Sequence, residues 1–291
     1  MAVVLRRKRS RIETRGEIID PCSYFLSLMD VEDVFEDALC VLGWGKAVTQ
    51  SNDMRAKQDQ PIRYPLPSLN VTLDLYRLRV EKYAIQSMAH FIWNASMVLN
   101  SALLYHQFEV AGKSVLELGA GLGLPGLTSV LLGAKLSLIT EYPDEAIVKM
   151  LEQNRRANLN EEEQTRCRVM GHAWGEPVDA LIEVNGGNQF DLVFVADCIW
   201  MVEQHELLLQ TCLRTLNRDG GRIVLTCFPH TGKLNVERFF CLLTDAGMVY
   251  EPFKAKIPVE GISFTDSDGE PVSLGRNILD LVQCYVIKFK E

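Results

Sequence analysis

From Gly112 onward the apolar residues fall into short, solid runs separated by amphipathic stretches, the rhythm of strands alternating with helices. The solid runs predict strands at Ser114–Leu118, Lys135–Thr140, Arg166–Met170, Asp191–Ala196, Arg222–Phe228 and Leu281–Phe289. Helical spacing predicts helices near Pro125–Leu132, Asp144–Asn158, Gln204–Leu216 and Asn235–Ala246 between them. Runs such as Leu192–Ala196 and Ile223–Phe228 show little polar alternation, so both faces of their sheet must be covered. An α/β fold of Rossmann-like type follows, with helices on both faces of the sheet.

Upstream the pattern is looser. Phe25, Leu28, Val31, Phe35, Leu39 and Leu42 recur at helical spacing and predict a helix over Tyr24–Leu42. Residues 46–68, with Pro61, Pro65 and Pro67, read as a loop. Asn70–Val80 alternates as a strand, and Lys82–Tyr105 reads as a largely apolar helix. Residues 257–277, rich in Gly, Asp and Ser, look like an insertion before the last strand. The expected organisation is a basic arm at 1–20, an extension packed on the core at 21–110, and the core at 111–291.

Composition narrows the function classes. Hydrophobic residues make up 47% and charged residues 23% of the 291, enough apolar material for a substantial core. The net charge is −8, but residues 1–15 hold six bases against Glu13, so the rest of the chain is strongly acidic. That balance disfavours an extensive nucleic-acid surface and favours basic partners. The basic cluster reads as a solvated terminus, with nuclear import or RNA contact as alternatives. The eight cysteines contain no C-x-x-C pair, which fits a reducing compartment such as the cytoplasm. No secretory signal or membrane span is expected, since no apolar run nears the roughly 20 residues a span needs. Nor does any His, Asp and Glu set show metal-ligand spacing, so no metal is expected.

The chemistry concentrates after the first strand of the core, in Val115-Leu116-Glu117-Leu118-Gly119-Ala120-Gly121-Leu122-Gly123-Leu124-Pro125-Gly126. A buried strand running into glycines, with a proline where a helix begins, presents backbone and unpaired N–H groups to a ligand. Glu141 ends the next strand, 22 residues beyond Gly119, where an acid accepts both hydroxyls of a ribose. Together these imply an adenosine cofactor. Gly121-x-Gly123-x-x-Gly126 also satisfies the dinucleotide pattern. Two features favour S-adenosylmethionine instead. Glu117 is placed to hold a methionyl end and would repel a pyrophosphate, and the chain lacks a second nucleotide-binding half.

These motifs, with Ile139–Asp144, Asn154–Asn158, Phe91–Ser96, Met170–Gly175, Phe194–Trp200 and Cys227–Lys233, make the chain similar to the fungal nicotinamide N-methyltransferase-like family. The likeness extends, more distantly, to the seven-strand protein-lysine methyltransferases. Characterised members of the fungal family act on the amino terminus and adjacent lysine of translation elongation factor 1A. The resemblance implies a seven-stranded sheet, S-adenosylmethionine, and cofactor contacts from Trp93, Gly119, Ala120, Gly121, Glu141, Trp174 and Ala196. Core packing is the competing role for the two tryptophans.

The same resemblance marks Asp197-Cys198-Ile199-Trp200 as a D-x-x-aromatic motif at the carboxyl end of a strand. A carboxylate there orients an ammonium, and an aromatic wall tolerates methylated cations. Asp197 and Trp200 are therefore the candidate catalytic residues, the competing role for Asp197 being a helix cap. Missing is the Asn/Asp-Pro-Pro-Tyr/Phe sequence used for nucleobase and amide acceptors. His230 is a further pocket candidate. Protein amine methylation leads, followed by small-molecule N- or O-methylation, an NAD-type oxidoreductase, and a cofactor-binding scaffold without catalysis.

Overall fold

In the computed structural model the structure describes residues 60–78, 89, 91–228 and 233–290. The basic arm, the helix expected at Tyr24–Leu42, His90 and His230 lie outside the described residues. Regular structure opens with the hairpin β1 (Ile62–Leu66) and β2 (Val71–Leu75), followed by helix α1 (Asn94–Leu104). The core then runs β3 (Ser114–Leu118), α2 (Leu124–Leu131), β4 (Leu136–Glu141), α3 (Glu145–Asn158), α4 (Glu161–Thr165) and β5 (Cys167–Gly171). It continues through α5 (Asp179–Val184), β6 (Leu192–Ala196), α6 (His205–Thr215), β7 (Arg222–Cys227), α7 (Lys233–Asp245) and β8 (Met248–Pro252). Strands β9 (Ile262–Thr265) and β10 (Pro271–Leu274), helix α8 (Arg276–Leu279) and strand β11 (Gln283–Phe289) complete it.

Seven strands form one sheet in the order β5-β4-β3-β6-β7-β11-β8. β3 pairs in parallel with both β4 and β6, which continue in parallel to β5 and β7. Only β11 runs against its neighbours, lying antiparallel between β7 and β8. The chain works outward from β3 to β5, then returns to the other side of β3 with β6. β3 and β6 therefore flank the topological switch point, where an open α/β sheet leaves a crevice at its carboxyl ends.

Strand alternation divides the core between two faces. Leu116, Leu118, Leu138, Val193, Val195, Ile223 and Leu225 pack with Leu208, Leu209 and Cys212 of α6 and Val236, Phe239 and Leu243 of α7. On the other face Ser137 Oγ donates to the Gly126 carbonyl of α2, and Thr226 Oγ1 donates to the Ala95 carbonyl of α1. The expected α/β sheet with helices on both faces is what the structure contains.

Several local expectations change. Ile62–Leu66, expected as loop, is a strand whose Pro65 lies opposite Thr72 of β2. Its pairing with β9 is confined to Arg63 and Thr265, so Pro65 sits near a sheet edge, where proline is tolerated. The expected insertion supplies β9 and β10, which join β1 and β2 in a second sheet of order β10-β9-β1-β2. Of the helix expected at Lys82–Tyr105, residues 82–88 and 90 lie outside the described residues; Asn94–Leu104 is helical, and Trp93 before it is extended (φ −79°, ψ 147°). β8 went unrecognised because Val249 to Pro252 face solvent in whole or part, leaving no solid apolar run.

Candidate active site

Three glycines, Gly119, Gly121 and Gly123, take positive φ (63°, 56° and 80°) and turn the chain from β3 into α2. The loop is tied to the next strand by Ala120 N–H donating to the Thr140 carbonyl at 3.0 Å. At Gly119 a side chain is excluded twice over. Its φ disfavours L residues, and a Cβ would stand 2.7 Å from Cys198 Sγ and 3.0 Å from Trp174 Cζ2. At Gly126 a Cβ would meet Glu117 Oε2 at 2.5 Å, so this glycine lets α2 seat against β3.

Glu141 ends β4 with both carboxylate oxygens held, Oε2 accepting from Gly121 N–H at 2.9 Å and Oε1 from Tyr142 N–H at 2.8 Å. Burial raises its carboxyl above the ordinary range, while the Tyr142 and Gly121 N–H groups draw it back. The carboxylate is thus fixed beside the glycine loop by two backbone N–H groups. Trp174, three residues beyond β5, is partly buried against the core with its ring edge at Gly119. Core packing and presentation to the loop therefore coexist in that side chain.

Glu117 is a correction. The sequence places it at a methionyl end, but the side chain is sealed beneath the loop, only 1% exposed. Oε2 accepts from Gly126 N–H at 2.9 Å, while the buried Oε1 has no partner among the described residues. Burial, reinforced by the neighbouring Glu141 and opposed by the Gly126 N–H, pushes its carboxyl up to about 8. It buttresses the loop from below as a neutral acid rather than presenting charge to the crevice.

Across the switch point, Ala196 closes β6 and Asp197 follows with φ +57°, unusual outside glycine. Asp197 N–H donates to the Thr226 carbonyl at 2.8 Å, and its Oδ1 accepts from Phe228 N–H at 3.0 Å. These bonds clamp the tips of β6 and β7 together. The helix-cap alternative fails, since α6 begins only at His205 and has Gln204 at its cap position. Cys198 Sγ donates to the Leu118 carbonyl, which brings Asp197 alongside Gly119. Trp200 stands 37% exposed three residues on.

Trp93 lies at the cap of α1, edge-on to Phe91 with centroids 5.7 Å apart. The Phe91 and Ala89 carbonyls approach within 3.5 and 3.7 Å of where a Gly121 Cβ would stand, so this segment lines the loop. Gly119, Ala120, Gly121, Glu141, Trp174, Ala196 and Asp197 thus lie about the carboxyl ends of neighbouring strands, Trp93 stands beside Phe91, whose carbonyl faces Gly121, and Glu117 lies beneath the loop. Sequence reasoning missed two contributors. Cys198 fills the space a Gly119 side chain would take, and Asn94 begins α1 buried, with its Nδ2 unpartnered among the described residues. Asn94 lies within the Phe91–Ser96 motif, but a lone asparagine between Trp93 and Ala95 declares no chemistry of its own. A shallow depression of about 490 Å³ lined by Tyr76, Lys149, Glu152, Gln153, Arg156 and Ala157 lies along α3 and holds none of the residues that carry the chemistry. Among the described residues no group of three His, Cys, Asp or Glu is arranged to hold a metal, and no helix is long and apolar enough to cross a membrane.

Comparison with known proteins places the chain in a family. The sequence pattern of a family described as lysine methyltransferase matches residues 72–246. A protein N-terminal and lysine N-methyltransferase from Cryptococcus neoformans is 38% identical over 132 residues, 45% of this chain and 44% of that protein. One of the same name from Emericella nidulans is 30% identical over 192 residues, 62% of this chain and 74% of that protein. The chain spans about half the length of the first relatives it matches. A solved ribosomal protein L11 methylase from Lactobacillus delbrueckii is 16% identical with a TM-score of 0.43, covering 68% of this chain and 79% of that one.

Proposed function

Because the chain belongs to the lysine methyltransferase family, we propose that it transfers a methyl group from S-adenosylmethionine to an amine of a protein, a lysine side chain or an amino terminus. The residues present fit that cofactor: Glu141 for the ribose hydroxyls, Trp174 for the adenine face, and the Gly119–Gly121 backbone for close approach. When bound, S-adenosylmethionine supplies a methyl group already activated on a sulfonium.

What remains for the protein is to align the amine, exclude water and deliver a free lone pair. A lysine has a reference pKa of ~10.4 and an α-amine ~7.7–8.0, so either must shed a proton before attack. Asp197 is the observation that carries the reading, a buried carboxylate clamped by Phe228 N–H beside Gly119. It attracts the incoming ammonium and fixes its direction, and Trp200 walls the entrance. The methyl group would pass from the sulfonium to the amine nitrogen, leaving a neutral thioether, while Asp197 and Trp200 hold the amine in line. The proton lost by the amine passes to solvent. The family resemblance nominates translation elongation factor 1A as the first acceptor to try.

The test incubates the purified protein and methyl-labelled S-adenosylmethionine with unmodified elongation factor and with a whole-protein extract. Mass spectrometry then locates the label. Label on lysine or amino-terminal nitrogen supports the proposal. Label confined to small molecules, or absent altogether, overturns it.

A further inference from the structure

Helix α6 buries a threonine where its own pattern calls for an apolar residue. Leu208, Thr211, Cys212 and Thr215 recur at the spacing of one helix face, and all four are buried. A buried hydroxyl is costly unless it is hydrogen-bonded, and β branching lowers helix propensity. Thr215 meets the first cost within the helix, its Oγ1 donating to the Thr211 carbonyl at 2.8 Å. Thr211 does otherwise. Its Oγ1 accepts from Gly175 N–H at 2.9 Å, 36 residues away and outside the helix.

Gly175 directly follows Trp174, so this bond fixes the far side of the loop that carries the indole. The near side is fixed by His172, whose N–H donates to the Glu141 carbonyl at 2.8 Å. His172 Nε2 also lies 3.5 Å from Thr211 Oγ1, so one hydroxyl meets the loop on both sides of Trp174. The loop sits down hard on α6. Gly175 takes φ +87°, and a Cβ there would stand 2.5 Å from Leu207 Cδ2. Arg214 adds only a long, exposed contact to the Gly175 carbonyl, at 3.5 Å. At the tip of the indole, Cζ2 lies 3.0 Å from where a Gly119 Cβ would stand. Displacing the loop therefore displaces the indole relative to the glycine turn.

We propose that Thr211 is a positioning residue for cofactor binding: by holding Gly175 N–H, with His172 beside it, the hydroxyl sets the indole of Trp174 against Gly119 before any ligand arrives. The proposal rests on S-adenosylmethionine as the cofactor and on Trp174 as the wall of its adenine. Trp174 touches the ligand in this reading, and Thr211 acts only through it. The position requires the hydroxyl rather than the bulk of the side chain. Preorganisation of this kind shows in affinity, because a wall already in place needs no ordering when the ligand binds.

The experiment titrates S-adenosylhomocysteine calorimetrically into wild type, Thr211→Val, Thr211→Ser, Thr215→Val, Trp174→Ala and the double variant of Thr211→Val with Trp174→Ala. Thr211→Val keeps the shape without the hydroxyl and should bind about threefold to tenfold more weakly, the worth of one hydrogen bond. Thr211→Ser restores the hydroxyl and should bind as wild type does. Thr215→Val removes a buried hydroxyl from the same helix face, and it should lower the melting temperature without lowering affinity. Once Trp174 is alanine, adding Thr211→Val should cost no further affinity, as expected of a residue that acts through another. Undiminished binding by Thr211→Val, a loss that adds in full to that of Trp174→Ala, or an equal loss in Thr215→Val overturns the proposal. Amide exchange in wild type needs no variant to fold. Gly175 N–H is expected to be protected before ligand is added, and protection that arrives only with S-adenosylhomocysteine also overturns the proposal. Failure of wild type to bind S-adenosylhomocysteine at all would instead overturn the cofactor reading on which it rests.

Discussion

At position 197 the backbone occupies the left-handed region, and the carboxylate accepts from Phe228 N–H. Asparagine satisfies both demands, since it tolerates positive φ and its amide oxygen accepts the same bond. It lacks only the charge. Asp197→Asn is therefore expected to melt with wild type and to bind S-adenosylhomocysteine normally, while turnover falls by about a hundredfold. Asp197→Ala should lose stability as well. Near-normal turnover in the asparagine variant would reduce Asp197 to a clamp between two strand tips. Glu117 poses a different question at the same scale. Its carboxyl, raised by burial to about 8, holds a proton in the folded chain that the unfolded chain releases near ~4.3. The folded state thus binds the extra proton between those values, so this group's contribution is full below about pH 4 and is lost as pH rises toward 8. Glu117→Gln, whose amide keeps an oxygen for Gly126 N–H, removes that dependence. The melting temperature of the variant relative to wild type should climb steadily from pH 5 to pH 8. Parallel curves would mean that Glu117 is ionised in place.

Between residue and domain, the edge of β2 shows how elements join. Asn154 and Asn158 stand one helical turn apart on α3 and treat the edge strand as a second strand would. Asn158 accepts from Asp74 N–H and donates to the Asp74 carbonyl, and Asn154 does the same for Tyr76. Asn154 Nδ2 also reaches the Leu122 carbonyl, so one side chain links the small sheet to the glycine loop. Replacing Asn154 by alanine strands these part-buried backbone groups at a cost of about 1–3 kcal/mol. Amide exchange at Tyr76 and in the glycine loop should accelerate together. Exchange that stays at the wild-type rate would show the latch to be dispensable. The sequence contained Asn154–Asn158 as a motif but not this use of it, because an asparagine pair on a helix declares no partner. The same limit applies to β1, β9 and β10. Their pairing joins Arg63 to Thr265, and local pattern cannot report so distant a partner. By contrast β3, β4, β6 and β7 were legible because burial on both faces writes a solid apolar run. The site was legible where geometry follows chain order, as with Gly119, Glu141 and Asp197 at strand ends. It was not legible for Glu117, whose direction depends on how closely α2 seats on β3.

Over the described part of the molecule, β1, β2 and α1 pack with the elements that follow residue 111. Nine of the eleven residues of α1 are buried, and β1 and β2 complete a sheet whose other two strands come from beyond residue 261. Leu66, Leu73, Leu75, Met97, Leu99 and Leu103 are each no more than 1% exposed. Burying such a side chain contributes about 1.5–3 kcal/mol, so losing all six removes an amount comparable to the 5–15 kcal/mol that typically holds a domain folded, roughly. The cut would also uncover the sheet face around Thr226 and leave β9 without its β1 neighbour, an open edge inviting aggregation. A chain beginning at residue 111 retains Gly119, Glu141, Trp174 and Asp197, and by motif alone it should bind cofactor. Physically it should not: urea unfolding followed by circular dichroism is expected to show no cooperative transition, and S-adenosylhomocysteine no measurable heat. A cooperative melt with bound cofactor in that fragment would mean that the seven-stranded sheet is self-sufficient. The small sheet and α1 would then be additions to the catalytic unit rather than parts of it.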